Sequence, residues 1–128
     1  MLFRSDPYAK LPKVVDIASV RAMQKATLAV TIKKPLVRYI TELASATRVS
    51  QMTELGVSPR GSIAVSHMAK ASALMSGRDY VTEEDIRNVF VDVCSHRIIL
   101  TQKVRASGSS AADVLNQILG SVKMPYSV

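Results

Sequence analysis

Cysteine and aromatic residues are scarce in this sequence of 128 residues. It has no tryptophan, two phenylalanines, four tyrosines and one cysteine, Cys94. A single cysteine excludes a disulfide within the chain and any metal site that needs several thiolates. Since 48% of the residues are nevertheless hydrophobic, we expect a globular chain whose core is built from Ala, Val, Leu, Ile and Met. That set of residues favours packed helices.

Long hydrophobic runs are also absent. No stretch approaches the roughly 20 apolar residues that cross a membrane as a helix. The first 16 residues, MLFRSDPYAKLPKVVD, have charges and prolines where a secretion signal requires an apolar run. We therefore predict neither a membrane span nor a secretion signal, and a cytoplasmic location.

Acidic residues are few in the first half of the chain. Residues 1–64 hold ten Lys and Arg against four Asp and Glu, whereas residues 65–128 hold seven against six. The net charge of +7 is compatible with an anionic partner but does not identify one.

Hydrophobic periodicity predicts a mainly α fold, a small bundle of about five helices in one domain over residues 1–128. The predicted helices cover 16–29, 35–48, 59–76, a segment that begins at Thr82, and 111–122. The β-branched segments 30–33 (VTIK) and 97–104 (RIILTQKV) are candidates for a short two-stranded ribbon. Residues 1–13 are predicted to be an extended lead-in, and 49–56 a polar loop.

Cap residues mark several of these helix ends. Asp16, Ser58, Thr82 and Ser110 are predicted N-caps, and Gly77 the residue that follows the C-terminus of the helix over 59–76. That helix has an apparent apolar line made of Ala64, Met68, Ala71 and Met75, with Ile63 and Leu74 beside it. We predict this line to be its buried face.

The sequence holds no convincing catalytic or metal-binding cluster. There is no glycine-rich phosphate loop. Cys94 and His96 are two residues apart on a predicted helix and so point to different sides, which favours a core role for Cys94 over a nucleophile pair. His67 is read as a partly buried histidine.

Other polar and sulfur-containing residues have simpler structural explanations. Glu83, Glu84 and Asp85 are read as the acidic first turn of a helix rather than as an acid/base or metal cluster. Met23, Met68 and Met75 are read as core residues. No metal site is predicted.

Arg60 is the residue that the helix pattern does not explain. In GVSPRG, Ser58 and Pro59 place it in the first turn of a helix, where the macrodipole disfavours a cation. A phosphate bound there would be favoured by the arginine, the backbone N–H groups and the dipole together. Helical spacing puts Arg60 in line with Ala64 and His67, at the top of the predicted buried stripe. An arginine that covers the end of the core is therefore the alternative.

Several separated motifs, in order and in register, resemble the C-terminal helical lid of MoxR-type AAA+ ATPases. They are Ala46-Thr47-Arg48, Gly-Val-Ser-Pro-Arg-Gly over 56–61, GRDYVTEEDI over 77–86, and HRIIL over 96–100. The resemblance covers roughly residues 10–125.

The resemblance implies a role for Arg60. In this family the arginine of the SPR segment is the sensor-2 residue, which reaches the γ-phosphate of ATP, so Arg60 is the expected catalytic residue. Pro59, Arg60 and Gly61 form the expected nucleotide contact. Whether Arg60 serves its own subunit or a neighbour stays open.

The resemblance also implies a larger machine. ATP with Mg²⁺ is expected in the full-length protein, and none on this chain alone, because the module with the phosphate loop is absent from these residues. The expected partners are that nucleotide-binding module, from its own chain and from neighbouring subunits of a ring, and von Willebrand factor A-type domain proteins. The expected role is chaperone-like remodelling.

Some positions depart from the family pattern or have less defined roles. Gly61 stands where alanine is usual, and Glu54 is placed to pair with Arg60 when nucleotide is absent. Arg48 and Arg97 are expected to have structural or interface roles. Arg78 and Asp79 are expected to serve the turn.

Two other functions remain open at this stage. A basic helical DNA-binding domain would explain the net charge, with Lys70 the main basic residue of the helix over 59–76. A histone-fold-like dimerisation module is suggested by VTEEDI over 81–86. The order of the motifs favours the ATPase lid over both.

Overall fold

The computed structural model of the chain describes residues 8–124, which form six α-helices and one small antiparallel sheet. The helices are α1 (Ile17–Ala29), α2 (Lys34–Val49), α3 (Pro59–Met75), α4 (Glu83–Cys94), α5 (Gln102–Ala106) and α6 (Ala111–Ser121). The strands are β1 (Thr53–Leu55) and β2 (Ile99–Leu100), and a 3-10 turn covers Ser95–Arg97. This confirms the mainly α fold class. None of the helices in this part of the chain is both long and apolar enough to cross a membrane.

The predicted helix starts are confirmed by their caps. The side chains of Asp16, Ser58, Thr82 and Ser110 each accept a hydrogen bond from the backbone N–H three residues on. At the other end of α3, Gly77 has a φ of 73°, a conformation that glycine adopts without steric cost. Local chemistry therefore sets these boundaries.

The predicted pairing of strands is wrong. Residues 30–33 form no strand, and Thr31 makes only an isolated parallel bridge with Tyr80. The partner of β2 is instead β1, inside the predicted polar loop, with Thr53 opposite Leu100 and Leu55 opposite Ile99. Because the sheet is short and its strands are distant in sequence, alternation within one segment was a poor guide to it.

The second predicted strand, over 97–104, is also shorter than expected. It ends at Leu100, because the Thr101 side chain accepts a hydrogen bond from the Val104 N–H and starts α5. This extra short helix raises the number from about five to six in the described residues.

The hydrophobic core lies between α2, α3, α4 and α6. As predicted, Leu36, Ile40, Leu43 and Thr47 form a buried line on α2. Phe90 and Ile86 of α4 are fully buried. The fully buried Cys94 lies in the same core, which confirms its predicted role.

The predicted buried face of α3 is wrong by one residue. The buried residues are Gly61, Val65, Ala69 and Ala73, whereas Met68 and Ile63 are about half exposed and Met75 is 90% exposed. Small residues line the inner face because α4 packs closely against it. The exposed Ile63, Met68 and Met75 give the outer face an apolar pattern as well, so periodicity did not distinguish the two faces. Met23, which is 52% exposed, is likewise not a core residue.

Helix α1 differs from the others because none of its residues is buried. Its side chains Ile17, Met23 and Leu28 are all more than half exposed. It is attached to the rest of the chain through α3, where the Lys70 Nζ donates a hydrogen bond to the Leu28 carbonyl (3.2 Å). The described part of the predicted lead-in, residues 8–13, is exposed and has a turn but no helix or strand.

Candidate functional site

The first turn of α3 is the best-defined polar feature among the predicted site residues. Ser58 Oγ accepts a hydrogen bond from the Gly61 N–H (3.3 Å), and Pro59 is the first helical residue. The Ser62 N–H donates to the Ser58 carbonyl (3.2 Å). Among residues 8–124 the Arg60 N–H has no acceptor, so this helix start keeps one free backbone donor.

Arg60 itself is exposed. Its guanidinium makes no hydrogen bond or ion pair with any residue that the structure describes, and Glu54, the predicted partner, is not paired with it. The expectation that Arg60 lies at the top of a buried stripe is wrong, because the buried face of α3 starts at Gly61. Arg60 therefore does not cover the end of the core, and its charge faces outwards at the positive end of the helix.

Gly61 is buried and allows a close contact within the chain. A Cβ at this position would lie 2.5 Å from Val57 Cγ1 and 3.5 Å from Arg97 Cδ. Val57 is fully buried. The residues that approach the Gly61 backbone are thus the chain's own, and they fix the position of the turn that carries Arg60.

Thr47 connects α2 to this same segment. Its Oγ1 donates to the Ala44 carbonyl (2.6 Å) and accepts from the Val57 N–H (2.8 Å). Arg48 Nε donates to the Val57 carbonyl (2.8 Å). Both backbone groups of Val57, the residue just before the Ser58 cap, are therefore held by side chains of α2. In the sequence, only the resemblance of the Ala-Thr-Arg motif to the family pattern indicates that Thr47 and Arg48 have a structural role.

A cleft of about 660 Å³ lies beside the start of α3. It is bounded by the end of α2, the two-stranded sheet and the 3-10 turn, and its lining includes Arg48, His96 and Arg97. Arg97 Nε donates to the Val93 carbonyl (3.0 Å). The cleft therefore brings together two arginines that are distant in the sequence.

A bidentate ion pair that the sequence analysis does not predict lies at the opposite end of α3. Arg78 makes two hydrogen bonds to the Asp85 carboxylate, with Nη1 2.7 Å from Oδ2 and Nη2 2.8 Å from Oδ1. Ser72 Oγ (2.9 Å) and both the N–H and Oγ1 of Thr82 (2.8 Å each) also donate to it. Burial alone would raise the pKa of the Asp85 carboxyl, but the hydrogen bonds from Arg78, Thr82 and Ser72 together hold that pKa well below its usual range.

This network gives structural roles to acidic and basic residues for which the sequence allowed more than one function. Glu83, Glu84 and Asp85 form the acidic first turn of α4, with a capping box between Thr82 and Asp85. The prediction that they mark a helix start is confirmed, as is the turn role of Arg78, which also lies over the Tyr80 ring at 5.8 Å. Within residues 8–124, no three His, Cys, Asp or Glu side chains are grouped closely enough to hold a metal ion.

The histidines and the cysteine do not form a reactive site in the described structure. Burial raises the pKa of the Cys94 thiol to about 11, against the opposing effect of the Arg97 charge, so the thiol is a poor nucleophile at neutral pH. His96 and His67 are both exposed. The prediction that His67 is partly buried is therefore wrong, for the same reason as the face of α3.

Comparisons with known proteins agree with the fold and the motifs. The family model that describes an AAA lid domain matches residues 45–118. Chaperone MoxR1 of Mycobacterium tuberculosis is 30% identical over 93% of this chain, and YeaC of Bacillus subtilis, whose name carries no function, is 33% identical over 95% of it. This chain spans 33% and 38% of the lengths of those two proteins, respectively.

A solved structure shows the same fold. The crystal structure of a candidate ATPase from Cytophaga hutchinsonii superimposes with a TM-score of 0.75 over 78% of this chain, with 36% identity. The chain covers 33% of that protein. The similarity to a MoxR chaperone and to a candidate ATPase agrees with the family model, and the chain belongs to the AAA lid domain family.

Proposed function

We propose that this lid contributes Arg60 as the sensor-2 arginine that contacts the γ-phosphate of ATP in a ring-shaped MoxR-type ATPase. One observation carries the proposal. The lid presents an arginine with no partner among residues 8–124, in the first turn of a 17-residue helix, where an unpaired cation is locally unfavourable. An approaching phosphate turns this arrangement into a favourable one, because the guanidinium, the free Arg60 N–H and the helix dipole all attract it.

The residues present fit part of a nucleotide site. Arg60 offers hydrogen-bond donors with positive charge, which suit phosphate oxygens, but this chain has no phosphate loop. ATP with Mg²⁺ would be held chiefly by the nucleotide-binding module, and the transferable phosphoryl group would be that of the bound ATP. Pro59 and Gly61 would act through Arg60, the first by fixing the helix start and the second by allowing Val57 and Arg97 to pack beneath it. On this view the chain alone does not hydrolyse ATP.

The proposed partners follow from the role of the chain as a lid. The exposed apolar side chains of α1 suit a contact with the nucleotide-binding module of the same protein or of a neighbouring subunit. A chaperone-like remodelling role, von Willebrand factor A-type partners and a cytoplasmic location are part of the proposal by family resemblance. Duplex DNA is not favoured, since Lys70, the main basic candidate on α3, donates its hydrogen bond to α1.

The test is steady-state ATP hydrolysis by the full-length ATPase that carries this lid. Arg60→Ala should lower the rate by about 10²-fold or more, because it removes a group that stabilises charge at the transferred phosphate. Arg105→Ala removes the same charge from an exposed position on α5 and should leave the rate nearly unchanged. If Arg60→Ala keeps the full rate in an enzyme that is folded and assembled, Arg60 is not at the phosphate.

A further inference from the structure

Arg48 and Arg97 share an arrangement that the sensor-2 role of Arg60 does not use. Each donates its Nε–H to a backbone carbonyl, of Val57 (2.8 Å) and of Val93 (3.0 Å) respectively. A guanidinium has five N–H donors in one plane. In the part of the chain that the structure describes, the terminal Nη groups of both arginines have no partner. Both side chains are therefore oriented, and both keep their outer edges free.

The two arginines line the same cleft, together with His96. Glu54 is the acidic side chain in the cleft lining, and it makes no ion pair with residues 8–124. The lining thus carries two arginine charges against one glutamate charge, and within residues 8–124 none of the three is in an ion pair. Arg60 does not line this cleft, although Pro59 beside it does. Arg48 and Arg97 are therefore next to the proposed nucleotide contact but distinct from Arg60.

The wall of the cleft is apolar and exposed. Leu55 and Ile99 face each other across the two-stranded sheet, and they are 56% and 46% exposed. A paired, exposed apolar contact next to oriented arginines is typical of a protein-binding surface, where apolar side chains supply the contact area and arginines supply the specificity. A free phosphate would use the arginines but not this wall.

We infer that this cleft binds an acidic segment of a partner protein, with an Asp or Glu carboxylate on the Nη groups of Arg48 and Arg97 and a neighbouring apolar side chain against Leu55 and Ile99. Guanidinium and carboxylate match in geometry, since two parallel N–H···O bonds can form. The two Nε anchors fix the arginines before binding, which lowers the entropy lost when the complex forms.

The chain of 128 residues can be titrated directly with a short peptide of alternating leucine and aspartate, with the Nε–H signals of its arginines followed by NMR. We expect the chemical shifts of the Arg48 and Arg97 Nε–H signals to change as peptide is added and to reach a plateau. The matched peptide with asparagine in place of aspartate should shift neither. Arg48→Ala and Arg97→Ala should each weaken binding by about tenfold or more, whereas Arg38→Ala, on an exposed arginine outside the cleft, should not.

Three results would overturn the inference. If the acidic peptide leaves both signals unmoved at roughly millimolar concentration, the cleft is not a carboxylate site. Equal weakening by the Arg38, Arg48 and Arg97 substitutions would indicate unspecific attraction by net charge. Stronger binding of inorganic phosphate or ATP than of the peptide would assign the arginines to a nucleotide. Circular dichroism of each variant separates lost binding from lost folding, and none of these outcomes depends on Arg60.

Discussion

The close packing of Val57 against Gly61 allows a quantitative prediction, which can be tested by adding one methyl group at position 61. Gly61→Ala places a Cβ 2.5 Å from Val57 Cγ1, well inside van der Waals contact, so that a fully buried side chain must shift. Overpacking of this kind costs about 1–3 kcal/mol. The higher helix propensity of alanine returns at most about 1 kcal/mol. We therefore expect Gly61→Ala to lower the free energy of unfolding by about 1 kcal/mol.

A second glycine in a helix provides the matched control. Gly120 of α6 is exposed, and a Cβ there would meet nothing within 4 Å. Gly120→Ala should therefore raise the free energy of unfolding by roughly 0.5 kcal/mol, through helix propensity alone. Since the chemical change is the same, the difference between the two variants isolates the packing cost at Gly61.

The measurement is urea denaturation of the chain, followed by the circular dichroism of its helices. A double-mutant cycle with Val57→Ala adds a test of the mechanism, because removing the Val57 methyl groups should relieve the clash and give a favourable coupling of about 1 kcal/mol. Should Gly61→Ala prove as stable as Gly120→Ala, or should the cycle show no coupling, the close packing of Val57 on the start of α3 is refuted.

Two further predictions concern buried polar groups. Because the folded-state pKa of Asp85 lies below the 3.8 of the unfolded chain, its stabilising contribution is complete above about pH 4 and is lost as the pH falls further. Urea denaturation at pH values between about 5 and 2 should show this loss as a fall in the free energy of unfolding. Arg78→Gln should make the fall smaller, and an equal dependence on pH in both proteins would contradict the prediction. Thr47→Val leaves the buried Val57 N–H without its acceptor and should cost about 1–3 kcal/mol, whereas Thr41→Val on the exposed face should stay within about 0.5 kcal/mol. Equal effects of the two threonine substitutions in urea denaturation would show that the buried hydrogen bond contributes little.

Local signals in the sequence were sufficient for most helix boundaries. A cap side chain acts on a backbone N–H three residues away, so Asp16, Ser58, Thr82 and Ser110 can be recognised without any knowledge of the fold. The same holds for Gly77, whose positive φ ends α3. The motifs in register also indicate the lid family without any knowledge of the fold.

Features that depend on distant contacts were missed. Strand β1 lies in a segment without a strong pattern, and only its pairing with Ile99 and Leu100 defines it. The inner face of α3 consists of Gly61, Val65 and two alanines, whose side chains are smaller than those of the exposed methionines. Arg60 was therefore assigned to the wrong face, although its position in the first helical turn was predicted correctly. Its contact with ATP stays a prediction.

The two ends of α3 are fastened in different ways, and this limits how Arg60 can move. At one end, Val57 is held by Thr47 and Arg48 and packs beneath Gly61. At the other, the Arg78–Asp85 pair and Ser72 join the end of α3 to the start of α4. The helix cannot slide or tilt within the lid without breaking one of these attachments. A displacement of the Arg60 backbone that keeps these attachments therefore moves the lid as one body. If a phosphate binds Arg60 as proposed, a pull on that backbone would be passed on to the whole bundle.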